Sequence, residues 1–517
     1  MNLELHVPTT QSFLQLGGDS LSALSLADLI RDLCAVAVPV GFLLDPTVNV
    51  DALVRYVEER ASGRIPARAV TFEQVHGKEA TVVRAEDLRL DRFLSAEDFE
   101  AAEKARLGAE VPREARVVLL TGANGFLGRF LTLDLLERAS RLGGRVVCIV
   151  RAPSEAAALE RLSASFRGPD PRLWARFQAL SQGRLTVLQG DLMKPRLGLS
   201  EEVYGRLCEE VDCIVHNGAL VNHAFSYPQL FEPNVLGTVE LMRLATRRRI
   251  KAFGFVSSVG VAGGLGRREP VREDEDARAL ARERPIDSGY AVGYATSKWA
   301  CEVLLRELSD RLGVPVDVFR CSMIMAHREF AGQINVSDFL TRLLYGVVIT
   351  GLAPRSFYVG DPRRAHFDGL PVDFVAGSIS AIASSPQQGY ATYHVVNARW
   401  EDGVSLDTLV SWIKAAGYPV TRIEEYAAWY AAFRERLLAL PPEQQQRSPL
   451  PILYQWAQPV RADAVTRFDA QRLRQRLAEL SGGPVAIPPL DEALIHTYLM
   501  DLSVLGLIEE PSARAAE

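Results

Sequence analysis

The stretch Val117-Val118-Leu119-Leu120-Thr121-Gly122-Ala123-Asn124-Gly125-Phe126-Leu127-Gly128 decides how this chain is read. Four apolar residues in succession fit a strand buried on both faces, as in a parallel sheet covered by helices. A glycine turn follows. From Phe126 the pattern becomes helical, with Leu127, Phe130, Leu131 and Leu135 on one face. Strand, glycine triplet and helix in that order make a dinucleotide-binding turn. Gly122 permits the sharp turn, Gly125 lets the backbone approach a pyrophosphate, and Gly128 lets the helix pack closely on the sheet. Free N–H groups at the helix start draw the phosphates. Asn124, Phe126 and Leu127 are the other contact candidates of the turn.

Outward from this turn, further short apolar runs recur at 146–150, 185–188, 213–215, 253–256 and 316–319, with helical stretches between them. Strand and helix in alternation imply right-handed crossovers. The expected fold is α/β, a Rossmann-like doubly wound parallel sheet over residues 116–330. Beyond residue 331 helical patterns dominate, with one strand candidate at 393–396, and 331–517 reads as a mostly helical substrate-binding lobe. Residues 61–115 read as a linker and helical extension. Residues 1–60 read as a small helical domain.

The second strand candidate ends at Val150-Arg151, where a site for NAD would carry an acidic residue for the ribose 2′-hydroxyl. A guanidinium there suits a 2′-phosphate instead, through charge-assisted hydrogen bonds. Arg161 is placed to close on the same phosphate, so NADPH is the expected cofactor. Asp191 and Leu192, after the third strand, are candidates to flank the adenine. Asn217, Gly218 and Ala219, after the fourth, line the cofactor at the carboxyl edge of the sheet.

Tyr294 and Lys298 stand four residues apart, one turn along a helix face. A free phenol titrates near pH ~10. A neighbouring ammonium is expected to lower that value toward working pH and make Tyr294 an acid–base catalyst. The strand before it ends in Ser257 and Ser258, and either hydroxyl could hold a substrate carbonyl oxygen.

On these residues the segment from Val117 to Arg320 resembles the extended short-chain dehydrogenase/reductase superfamily. The resemblance carries over Gly122, Gly125, Gly128, Tyr294 and Lys298. It makes Ser258, five residues before Gly263, the catalytic hydroxyl and puts Ser257 beside the nicotinamide. It also implies that Asn234 supports the lysine.

Leu16-Gly17-Gly18-Asp19-Ser20-Leu21 resembles the phosphopantetheine attachment motif of carrier domains. A serine where a loop becomes a helix is exposed to a transferase, and the helix start tolerates the phosphodiester. With Gly293 to Trp299 and Gly369 to Phe374, the whole chain is similar to the C-terminal half of carboxylic acid reductases. That resemblance implies 4′-phosphopantetheine on Ser20 and an acyl thioester reduced to an aldehyde. It also implies two partners, an adenylation domain and a phosphopantetheinyl transferase. Two departures stand out. The first carrier helix is expected to be missing or incomplete, and Ser322 stands where these reductases are expected to carry aspartate.

Composition excludes other classes. The chain has 517 residues, and a net charge of −6 offers no basic face for nucleic acid. No apolar run approaches the ~20 residues of a membrane span. Six cysteines without a CxxC pair indicate a reduced, cytoplasmic setting and no metal site. The competing readings are the reductive release domain of a peptide or polyketide assembly line, a sugar-nucleotide epimerase or dehydratase, and a non-catalytic cofactor- or carrier-binding module.

Overall fold

The computed structural model describes residues 9, 11–13, 15, 16, 18, 20–34, 36, 38, 40–43, 48–61, 70–108, 111–223, 225–263, 269–286, 289–361, 364–462 and 466–511. Seven strands form the central sheet. They are β1 (Val117–Thr121), β2 (Arg145–Val150), β3 (Leu185–Gln189), β4 (Cys213–His216), β5 (Ala252–Ser258), β6 (Val316–Cys321) and β7 (Tyr390–Val395). Their order is β3-β2-β1-β4-β5-β6-β7, and every pairing is parallel. The order reverses between β1 and β4, and at such a point an open sheet leaves a crevice for a ligand. All four residues of β4 and all six of β6 are buried, which is why their sequences show no alternation.

Eight helices matter for the site: α1 (Ser20–Cys34), α2 (Val50–Ala61), α3 (Ala96–Arg106), α4 (Phe126–Leu142), α5 (Gly237–Thr246), α6 (Val292–Leu312), α7 (Val372–Ala383) and α8 (Gln471–Ser481). Two regions differ from the sequence reading. In the extension, α3 is helical as expected, but Val82–Arg84 also forms a strand, antiparallel to Glu283–Pro285. Three-residue strands are too short to show a period. Beyond residue 331 the chain divides between two cores. Leu340, Leu344, Trp429, Phe433 and Tyr498 belong to a separate apolar cluster. By contrast α7, β7 and α8 return to the core of the main sheet. Val372, Val375, Ala376, Ile379 and Ile382 of α7 are buried there, and β7 completes the sheet beside β6.

Ser20 opens α1, while its side chain, Asp19 and Gly17 lie outside the described residues. No helix precedes Ser20 among the described residues, and positions 1–8 lie outside them. Ala23, Ala27, Val36, Val38 and Leu43 form a small apolar cluster that Phe225 and Leu230, beyond β4, complete. Leu220 and Tyr294 pack against its edge. The amino-terminal helices therefore rest on the segment that leads into the candidate active site. No helix among the described residues is long and apolar enough to cross a membrane.

Candidate active site

The glycine turn is held by close backbone approaches. Gly122 has φ +70°, and a Cβ there would lie 2.7 Å from the amide nitrogen of Gly218. A Cβ on Gly128 would lie 1.9 Å from the carbonyl oxygen of Gly122, so α4 seats on the turn only with glycine. Gly125 is the N-cap of α4 and supplies no side-chain acceptor. Its first amide groups therefore have no capping oxygen and are available to a pyrophosphate. Asn217 Nδ2 donates to the Gly122 carbonyl at 3.1 Å, which ties the end of β4 to the turn.

A polar chain that the sequence does not advertise supports this junction. The Gly218 amide donates to Thr121 Oγ1 at 3.1 Å, and Thr121 lies 2.8 Å from His216 Nδ1. His216 Nε2 lies 3.0 Å from Thr238 Oγ1, which itself donates to the Asn234 carbonyl at 2.6 Å. Burial keeps His216 neutral, well below its ordinary value. One tautomer satisfies every group: Nε2–H donates to Thr238 and Nδ1 accepts from Thr121.

Arg151 stands at the end of β2, half-buried. Arg161 Nη1 donates to the Arg151 carbonyl at 2.6 Å, so Arg161 buttresses the strand end that presents Arg151. Asp191 accepts from the Met193 amide at 2.9 Å and shapes the turn after β3. Leu192 packs beside Gly218 and Gly237, next to the cofactor crevice. Phe126 meets Phe130 edge-on, and Leu127 is buried against the core. The uncapped helix start, the glycine cradle and Arg151 fit a dinucleotide with an additional phosphate.

The acid–base group comes from α6. Ala291 precedes the helix at φ +61°, and its amide donates to the His223 carbonyl at 2.8 Å. The His223 ring meets the Tyr294 ring edge-on at 5.6 Å. Lys298 Nζ donates to the Val256 carbonyl at 2.8 Å and lies 4.6 Å from the Phe255 ring centroid. That bond lays the helix of Tyr294 onto the end of β5. Ser258 follows two residues later, its Oγ accepting from the Gly260 amide at 3.1 Å.

Three expectations change here. The Lys298 ammonium was expected to lower the Tyr294 phenol, yet burial pushes that phenol above its ordinary value. Lys298 is engaged by Val256, and desolvation of the phenolate dominates. Burial also lowers Lys298 itself, to about 8. Ser257 was expected beside the nicotinamide. Its hydroxyl is instead buried and donates to Glu302 Oε1 at 2.5 Å, because successive strand residues face opposite ways. Asn234 was expected to support Lys298. Its Nδ2 donates to Ser297 Oγ at 3.0 Å and to the Leu220 carbonyl at 3.2 Å, while its Oδ1 accepts from the Leu220 amide at 2.8 Å. It thus pins the loop after β4 to α6. Ser322 lies against the Val395 carbonyl and the half-buried Asp368, whose carboxyl desolvation raises to about 7.

Comparison with known proteins matches these parts. Residues 120–379 match the NAD-binding family model described as Male sterility protein, and residues 2–57 match the phosphopantetheine attachment site model. A carboxylic acid reductase of Segniliparus rugosus is 44% identical over 504 residues, covering 96% of this chain and 42% of that protein. An isonitrile lipopeptide synthase of Mycobacterium tuberculosis is 42% identical over 520 residues, covering 97% of this chain and 20% of that protein. The chain thus spans less than half the length of these two relatives. The crystal structure of a reductase (R) domain of a nonribosomal peptide synthetase from Mycobacterium tuberculosis superposes with a TM-score of 0.75 at 42% identity. That match covers 83% of this chain and all of the domain. A glycine-turn crevice, a Tyr-Lys helix laid on a serine-ended strand and these matched segments agree: the chain belongs to the NAD-binding Male sterility protein family, together with the reductase (R) domains of peptide synthetases.

Proposed function

We propose that the chain reduces an acyl thioester, carried on a phosphopantetheine arm at Ser20, to an aldehyde with NADPH. The observation that carries this reading is the Lys298–Val256 bond, which sets the Tyr294 helix on the strand that ends in Ser258, beside the glycine crevice. Arg151 favours the phosphorylated dinucleotide. Bound in the crevice, that cofactor supplies a hydride to the thioester carbonyl carbon.

The chain's own residues handle the oxygen and the proton. The Ser258 and Tyr294 hydroxyls donate to the carbonyl oxygen and hold it as charge develops there. Tyr294, kept protonated by burial, gives its proton to that oxygen. Lys298 orients the ribose and keeps a positive charge near the phenol. As the carbon–sulfur bond then breaks, the new hydroxyl returns its proton to the Tyr294 phenolate, and the arm's thiolate leaves and takes a proton from solvent, giving the aldehyde and the free thiol. Tethering the substrate raises its effective concentration, and the amino-terminal helices already lie against Leu220 and Tyr294.

The partners of this reaction are an adenylation domain that loads the acyl group and a transferase that modifies Ser20. A second reading shares the chemistry: reductive release of a longer acyl chain from a peptide assembly line, favoured by the likeness to the R domain. Purified protein with NADPH and a short acyl-pantetheine thioester is expected to consume NADPH and yield aldehyde. Absence of oxidation in protein that binds NADPH would sink the reductase reading. A peptidyl thioester turned over at least tenfold faster than the short acyl one would favour the second reading.

A further inference from the structure

Four polar side chains outside the reaction just described form one row at the carboxyl edge of the sheet. The strand register sets Ser257 of β5 beside Arg320 of β6, and Arg320 beside His394 of β7. Glu302 descends onto this row from α6, two turns beyond Tyr294 and one beyond Lys298. Ser257 Oγ donates to Glu302 Oε1 at 2.5 Å. Arg320 Nε lies 3.2 and 3.1 Å from the two carboxylate oxygens, and Nη2 donates to Oε2 at 2.7 Å. Arg320 Nη1 lies 3.3 Å from His394 Nε2, and His394 Nδ1 lies 2.8 Å from the Asp469 carbonyl. Burial holds His394 neutral, near 3, so Nδ1–H donates to the carbonyl and Nε2 accepts from the guanidinium.

The Glu302 and Arg320 side chains have no exposed surface. Stability alone does not account for such a pair, since desolvation offsets most of the attraction and apolar residues of similar volume do as well. Geometry supplies a reason. Lys298 grips Val256, and one turn later Glu302 grips Ser257, so successive turns of α6 hold successive residues of β5. The next residue is Ser258.

We infer that Glu302, braced by Arg320, is a positioning residue: it clamps the end of β5 to α6 and so sets the Ser258 hydroxyl against the Tyr294 phenol. The inference rests on the proposed carbonyl reduction. Removing the clamp leaves the glycine crevice intact and disturbs only the alignment of the two hydroxyls.

The test uses the full chain, NADPH and an acyl-pantetheine thioester. Glu302→Gln keeps an acceptor for Ser257 and loses the charge that holds Arg320. The double variant Glu302→Leu/Arg320→Met replaces the pair with apolar side chains. Both are expected to bind NADPH within about twofold of wild type and to lose about 10- to 100-fold in kcat, the scale of an ~1 Å misplacement. The primary isotope effect with NADPH deuterated at C4 is expected to rise, because hydride transfer becomes slower than product release. Partial unfolding lowers kcat in proportion to folded protein and leaves the isotope effect unchanged. Wild-type kcat in either folded variant overturns the inference. So does a loss of kcat that follows a lowered melting temperature with an unchanged isotope effect. A wild-type chain that binds NADPH without oxidising it overturns the thioester reading, and the positioning role with it.

Discussion

The Lys298 ammonium is bonded to the carbonyl oxygen of Val256 at 2.8 Å, which joins the acid–base helix to the strand that carries the substrate hydroxyl. One side chain thereby serves as charge and as strut. Burial lowers Lys298 from 10.5 to about 8, so its charge is lost within an accessible range.

The first prediction is a divergence between activity and stability. Between about pH 8 and 10.5 the unfolded chain holds the Lys298 proton and the folded chain does not. Stability from this group therefore rises with pH across that window. The ammonium that supports Tyr294 disappears over the same rise, so kcat is expected to fall with a midpoint near 8. Lys298→Arg stays charged throughout and should lose that limb. An unchanged limb in the arginine variant assigns the titration to another group.

Tyr294→Phe removes the proton donor and is expected to lower kcat by about 10²- to 10⁴-fold. Ser258→Ala removes one donor to the oxyanion, with an expected loss of about 10²- to 10³-fold. In both, NADPH affinity by fluorescence titration should stay close to wild type. A Tyr294→Phe enzyme with full kcat removes Tyr294 from the reaction.

Arg151→Ala separates the two nicotinamide cofactors. Loss of charge-assisted bonds worth about 1.5–3 kcal/mol predicts a Kd for NADPH about 10- to 100-fold weaker. NADH affinity should move by less than about twofold. Equal weakening of both cofactors would mean that Arg151 shapes the crevice and does not read the 2′-phosphate.

Asn234→Ala leaves the Leu220 amide and carbonyl, together with Ser297 Oγ, without their partner in a buried place. A cost of about 1–3 kcal/mol in denaturant unfolding is expected. Unchanged stability would show that water replaces all three bonds.

Strands of the central sheet were legible because each is a short apolar run between helical stretches, a pattern local to a few residues. Tyr294 and Lys298 were legible for the same reason, being one helical turn apart. Ser257 was not, since its rotamer depends on a carboxylate 45 residues away. Asn234 likewise holds a loop 14 residues upstream and a serine 63 residues downstream. No sequence period registers such partners.

By itself, then, the sequence determined the doubly wound sheet, the dinucleotide turn and the Tyr-Lys pair, because each follows from steric and hydrophobic preferences of adjacent residues. Tertiary structure alone decided the rest. It returned α7 and β7 to the main core, set the amino-terminal cluster on Phe225 and Leu230, and buried Glu302 against Arg320. It also raised the Tyr294 phenol where the local spacing pointed downward. Those outcomes depend on which distant surfaces exclude water from one another, and that is settled only when the chain has packed.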